Sequence, residues 1–321
     1  ARRLAGVLVF ALGVLSACGG AAMAGPTLYV DKDSVGGGCS DGRPAAQVTA
    51  TAPWCSLERA RDAAPAGSTV LVRRGDYPGL VVDGETRAEF VTFKAQAGEV
   101  PAIAGIEVRR SSRFRFEGFR ITDNNLIHDS AQHVQFVGNE IRDGTRAVGN
   151  VGEILFERNH VHDVALNTGN PAASVGLWAG GEPAPNGIVV RHNRFLRLPN
   201  DALFLSASNL LVENNEFLNI QSPDNDIAHA DVLQCMGCNN LVYRGNYARD
   251  NDSGLLNSVA DSENWVIENN MFLRSDSWPL QLDNENRDLI LRNNTFWDSG
   301  VGVLFRWDPA FTANPSGFVI A

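Results

Sequence analysis

The sequence predicts an all-β solenoid, a coil built from short strands, and three observations carry that prediction. Seven segments, VQFVGNEI, ILFERNHV, IVVRHNRF, LLVENNEF, LVYRGNYA, WVIENNMF and LILRNNTF, each run into an asparagine at one fixed offset: Asn139, Asn159, Asn193, Asn215, Asn246, Asn270 and Asn294. The intervals between them, 20, 34, 22, 31, 24 and 24 residues, are those of units that cannot bury an apolar side alone and so stack on their neighbours. Within each segment Val, Ile, Leu and Phe alternate and then break at Asn, Gly or Asp, which is a strand pattern and excludes helical repeats.

The elements follow in chain order. Arg2 and Arg3 precede an apolar run from Leu4 to Leu15 and the tetrapeptide Leu15-Ser16-Ala17-Cys18. Residues 1–24 therefore read as an export signal, and Cys18 resembles the lipidated cysteine of a bacterial lipobox. Ala22-Met23-Ala24 offers a second cleavage pattern, of the ordinary signal-peptidase kind, which would release the protein unanchored. Both routes export the chain, to the bacterial cell envelope or beyond it, and leave four of the five cysteines in an oxidising compartment. Cys39 and Cys55 are expected to bond across the irregular stretch before the first coil. The lone Cys235-x-x-Cys238 pair reads as a local disulfide or two buried thiols in preference to zinc or redox chemistry. Ser56 is placed to cap a short helix with Leu57, Ala60 and Ala64 on one face, ended by Pro65 and Gly67. That helix would cover the open strand edges of the first coil. VLVRRGDY, EFVTFKAQ and FRFEGFRI are the early strands, and at the other end Phe318-Val319-Ile320-Ala321 reads as the start of a further coil. The expectation is one domain over residues 25–321, incomplete at its C-terminus.

An asparagine at the same turn of every coil has a physical task. Asn tolerates left-handed backbone angles, and its amide both donates and accepts, so stacked turns satisfy one another. Two residues further on lie Ile141, Val161, Phe195, Phe217, Phe272 and Phe296, an internal apolar and aromatic stack. Together these features are the signature of a right-handed parallel β-helix. On them the chain resembles the pectate-lyase-like superfamily, from about Thr27 to its end. The resemblance implies the fold, whereas lyases, hydrolases, epimerases and phage spikes share the scaffold and leave the reaction open.

Composition narrows the partners. A net charge of −10 with Lys32 and Lys94 as the two lysines excludes a basic stripe for nucleic acid. Nothing after residue 25 is long and apolar enough to span a membrane, so membrane contact is expected only through a lipid at Cys18. A monomer acting on polysaccharide is expected.

Aligning SVGLWAG, DALFLSA, DVLQCMG, GLLNSVA and PLQLDNE puts Trp178, Phe204, Gln234, Asn257 and Gln281 on one outward line, with Leu203, Leu205, Leu233, Leu256, Leu280 and Leu282 facing inward. Stacked strands lie about 4.8 Å apart, close to the length of a sugar ring, so such a line can contact successive units of an extended glycan. Two long turns, at residues 164–175 and 221–230, enter beside it. The second carries Asp224, Asp226, His229 and Asp231; hard oxygen ligands of this kind, Asp224 and Asp226 with Asp231, suit Ca²⁺, although no cofactor is required. His229-Ala230-Asp231-Val232-Leu233-Gln234 resembles a segment of secreted β-helix proteins assigned to polysaccharide degradation. Its alternation sets His229, Asp231 and Gln234 near one surface, an imidazole base oriented by a carboxylate. His160 and His162 share a strand face without a third ligand, and Arg306 follows one or two coils beyond Gln281, where it can meet a carboxylate.

The leading expectation is an exported polysaccharide lyase that cleaves a uronic-acid glycan by β-elimination. His229 is the base, Asp231 orients it, and Gln234, Asn257, Gln281 and Arg306 hold the carboxylate. A glycoside hydrolase is the alternative, with Asp201 and Asp231 at equivalent positions on successive coils. A non-catalytic, glycan-binding surface lipoprotein is the third reading.

Overall fold

The computed structural model describes residues 25–167, 174–223, 230–257, 262–283, 286–306 and 319–320. Three parallel sheets run along the coil: sheet 1 has 12 strands, from Thr27–Val30 to Val319–Ile320, and sheets 2 and 3 have 10 each. Sheet 2 is made of short strands from Asp76–Tyr77 to Thr295–Trp297, and sheet 3 extends from Leu80–Asp83 to Val303–Arg306. Every coil passes from sheet 1 to sheet 2 to sheet 3 and back, as a right-handed parallel β-helix requires.

The seven asparagines stack at the corner between sheets 1 and 2. Asn159 Oδ1 accepts from both the backbone N–H (3.0 Å) and the side-chain Nδ2 (3.1 Å) of Asn139, whose Nδ2 also donates to Phe116 O. The same pattern repeats through Asn193, Asn215, Asn246 and Asn270 to Asn294. From Asn139 to Asn270 these residues are at most 2% exposed, so every amide is a buried polar group satisfied by the coils beside it. The left-handed turn belongs to the residue before each of them: Gly138, Arg158, His192, Asn214, Gly245, Asn269 and Asn293 all have φ between 53° and 64°. That residue turns the corner, and the next one is thereby aimed into the coil.

At one pair of facing inward lines, in sheets 1 and 2, each coil holds one large ring. In sheet 1 the inward line is Phe93, Phe116, Phe136, Phe156, Val190, Val212, Tyr243, Ile267 and Leu291. In sheet 2 it is Ile103, Ile121, Ile141, Val161, Phe195, Phe217, Ala248, Phe272 and Phe296. Where sheet 1 changes from Phe156 to Val190, sheet 2 changes from Val161 to Phe195, and the two rings hand over at 6.3 Å between centroids. Tyr243, fully buried, stands opposite the smallest partner, Ala248. Close packing favours this compensation, since two rings at these two facing positions would overfill the space between them and none would leave a void.

The N-terminal elements match their sequence signals. Helix α1 spans Leu57–Ala63, with Ser56 Oγ accepting from Arg59 N at 3.1 Å and Leu57, Ala60 and Ala64 buried. Cys39 and Cys55 are bonded, with Cα atoms 5.0 Å apart, and Cys235 and Cys238 form a second, buried disulfide. Val319–Ile320 pairs with Ile290 and Leu291, continuing sheet 1 as its residues suggest.

Candidate functional site

Sheet 3 presents one outward line along the axis, fixed by register: Glu107, Leu126, Arg146, Trp178, Phe204, Gln234, Leu256, Gln281 and Leu304. Four of the expected residues, Trp178, Phe204, Gln234 and Gln281, stand on it. Asn257 does not. It pairs with Cys235 and so falls in the alternate phase, while Leu256 takes the place between Gln234 and Gln281. The segment Ser253–Asn257 contains two adjacent leucines, and hydropathy alone cannot tell which of them faces the core. The core position goes to Leu255, which pairs with Leu233 and Leu280 and is buried.

The centre of the line is aromatic. Trp178 and Phe204 are nearly parallel, 11° between planes and 5.9 Å between centroids, so they are offset-stacked and each keeps part of its face uncovered. Both are half-buried. The indole lies along its own strand over Gly180, where a Cβ would come within 3.1 Å of Trp178 Cη2. A glycine there is what lets the ring lie down. On the other side of the indole sits Arg146, its guanidinium 5.2 Å from the ring centroid. Arg146 was not among the expected site residues. Extending the strand alignment one coil toward the N-terminus, onto Thr145–Val148, is the signal that finds it.

The two long turns both join sheet 2 to sheet 3, the first between His160–His162 and Leu177–Gly180, the second between Glu216–Ile220 and Asp231–Cys235. Asn167 N donates to Ser174 Oγ at 2.6 Å and closes the base of the first. In the second, Asp224, Asp226 and His229 lie outside the described residues.

Asp231 does not share a surface with Gln234. It is completely buried at the start of its strand, in the same phase as the core residues Leu233 and Cys235. Its N–H donates to Asp201 Oδ1 at 2.9 Å and its carbonyl accepts from Ala202 N. Asp201, 3% exposed, is thus its equivalent one coil earlier, as expected, but both carboxylates are enclosed in the coil wall and not presented to the line. Strict alternation from Gln234 puts Asp231, three residues earlier, in the opposite phase, and the strand opens on three buried residues, Asp231, Val232 and Leu233. Arg306 ends the last described strand of sheet 3, opposite Asp283 and two residues beyond Leu304.

Other titratable groups lie at the corners. Asp143 is pushed up to about 6, by burial first and then by its hydrogen bond to Asp123. Asp252 is also raised, by burial and by the nearby charges of Asp276 and Asp231. On sheet 2 the His160 and His162 rings are 4.3 Å apart, and His162 reaches Asp163 at 2.8 Å and Glu140 at 3.4 Å. Burial, then the neighbouring His162, holds the His160 imidazole below its usual range. Among the described residues no three His, Cys, Asp or Glu side chains are grouped to hold a metal. For Ca²⁺, Asp231 points into the coil wall, and the other two candidate ligands are the undescribed Asp224 and Asp226.

A right-handed coil of three parallel sheets with a partly aromatic outer line defines the class of the protein. Residues 74–296 match the family described as "Right handed beta helix region", and the chain belongs to that family. Among curated protein sequences none matches this chain. Among solved structures it is similar to a rhamnogalacturonan lyase, with 12% identity and a TM-score of 0.64 over 91% of this chain and 86% of the other. It is similar to the alginate lyase of Paenibacillus sp. str. FPU-7, with 14% identity and a TM-score of 0.56 over 88% and 98%. It also resembles PfbA, a surface adhesin of Streptococcus pneumoniae, with 11% identity and a TM-score of 0.55 over 92% and 91%. At these identities the likeness is one of fold.

Proposed function

We propose that this is an exported protein that binds an extended polysaccharide along the outer line of sheet 3 and cleaves it by β-elimination beside a uronic-acid unit. The observation that carries the reading is the offset Trp178 and Phe204 pair, two half-exposed rings side by side on the outer face of sheet 3. Apolar ring faces left at a surface mark a binding site, and sugar rings offer flat C–H faces to match them. Gln234, half-buried on the same line, is placed to meet hydroxyls of the following unit, while Gln281 is buried at 4% exposure. Two solved structures of like fold are named as lyases, of rhamnogalacturonan and of alginate, and both names denote acidic polysaccharides. In this reading His229 takes the α-proton and Arg306 helps to hold the carboxylate. Asp231 anchors the turn that carries His229. Any Ca²⁺ would be held by Asp224 and Asp226 and would neutralise the uronate carboxylate.

The aromatic pair alone also supports a second reading, a non-catalytic glycan-binding surface protein, and the adhesin PfbA shares the fold. A panel of pectin, alginate, glycosaminoglycans and neutral glycans, read by ultraviolet absorbance of unsaturated products and by reducing ends, separates the two. His229→Ala should abolish product while binding stays within about twofold, and Trp178→Ala should weaken binding roughly tenfold or more, about 1.4 kcal/mol. Product without ultraviolet absorbance would indicate hydrolysis. Binding with no product at all would favour the second reading.

A further inference from the structure

Arg146 is the sole cation on the outer line of sheet 3, and among the described residues it has no carboxylate partner. Several arginines nearby are paired, Arg109 with Asp83 and Glu107, Arg120 and Arg142 with Glu140, and Arg158 with Glu157, while Arg113 donates to the carbonyl of Arg87. Its Nε is buried with no hydrogen-bond partner, and the Arg146 guanidinium carbon lies over the Trp178 ring, 5.2 Å from the centroid. With Nε buried, the two Nη groups are left to grip a two-oxygen anion end-on, a bidentate contact for which Arg is suited and Lys is not.

We infer that Arg146 reads an anionic substituent, a carboxylate or a sulfate ester, on the sugar unit lying beside Trp178. This rests on the proposed use of sheet 3 as the glycan face and adds the group that selects charge there. The unit over Trp178 and Phe204 is gripped by its C–H faces, and the adjoining unit, one coil toward the N-terminus, presents its anion to Arg146. Leu126 is next on that side and Glu107 follows it, so the selection is confined to the one coil.

The test is affinity electrophoresis against polygalacturonate, alginate, hyaluronan, κ-carrageenan and two neutral polymers, arabinan and glucomannan. Each retained acidic polymer is compared with its carboxyl-reduced or desulfated form. The wild type should prefer an acidic polymer, and Arg146→Gln should lose that preference, about tenfold or more, falling to the level seen with the neutralised polymer. Arg146→Lys should recover part of it. Loss confined to carboxylated polymers identifies the carboxylate, and loss confined to carrageenan identifies the sulfate. A wild type that prefers neutral polymers, or an Arg146→Gln variant weakened equally on acidic and neutralised forms, overturns the inference while Trp178→Ala still reports on the glycan face. If Trp178→Ala changes nothing, or no polymer is retained, the underlying reading fails with it.

Discussion

At the scale of single residues the fold rests on buried amides that each serve two coils. Asn215 accepts twice from Asn193 and donates to Val190 O and Asn246 Oδ1, all within 3.1 Å. Asn215→Ala should cost about 3 kcal/mol in urea unfolding, because it strands buried donors as well as removing bonds. Asn294→Ala, at the more exposed end of the ladder, should cost about 1 kcal/mol. Equal losses at both positions would mean that burial does not set the energy. Asp143 gives stability a pH dependence of definite sign. The native carboxyl, raised to about 6, holds a proton that an ordinary aspartate near 3.8 would release, so its contribution is full in acid and is lost as pH rises from about 4 through about 6. Asp143→Asn should therefore raise the melting temperature above wild type at pH 8 and match it near pH 4. The ladder was legible in the sequence because one residue type recurs at one offset. The left-handed turn was not, because Gly138, Arg158 and His192 share a backbone angle without sharing any chemistry.

At the scale of strands, the sequence shows which segments pair, and hydrogen bonding decides their phase. Trp178, Phe204, Gln234 and Gln281 were placed correctly by alternation, whereas Leu255 and Leu256 satisfy either phase and left Asn257 misplaced by one residue. Asp231 was misread because it was grouped with Gln234, three residues on, which alternation places on the opposite face. The exchange of bulk between sheets 1 and 2 is a further property of strands taken in pairs. Ala248→Phe would put a second ring in the coil that already holds Tyr243 and should destabilise the protein by about 2 kcal/mol or more. Adding Tyr243→Val should recover most of that loss. A single variant as stable as wild type, or a pair no better than the single, would show that the two positions do not share a volume.

At the scale of the whole molecule each coil touches mainly the coils on either side, so damage should stay local. Leu57 is the buried foot of the N-terminal helix. Leu57→Asp should speed amide hydrogen exchange in Thr69–Val72 and leave Asn186–Arg191 and Ser208–Glu213 protected. Uniform loss of protection would instead mark the coil as one cooperative unit.

The asparagine ladder also has a direction. Every Oδ1 faces the preceding coil, and every backbone N–H and Nδ2 is offered to the following one. Asn294 Nδ2 keeps the bond to Ile267 O that every rung makes to the preceding coil and gives its other hydrogen to Arg292 O. Each coil therefore offers a backbone N–H and one amide hydrogen toward the next, and each arriving asparagine supplies the single acceptor that takes both. A chain delivered N-terminus first meets a prepared docking point at every step, whereas one delivered in reverse would present its acceptors to nothing. Assembly that began at the N-terminus would follow the order of synthesis, which suits a long parallel sheet whose unpaired edge is hazardous for as long as it waits.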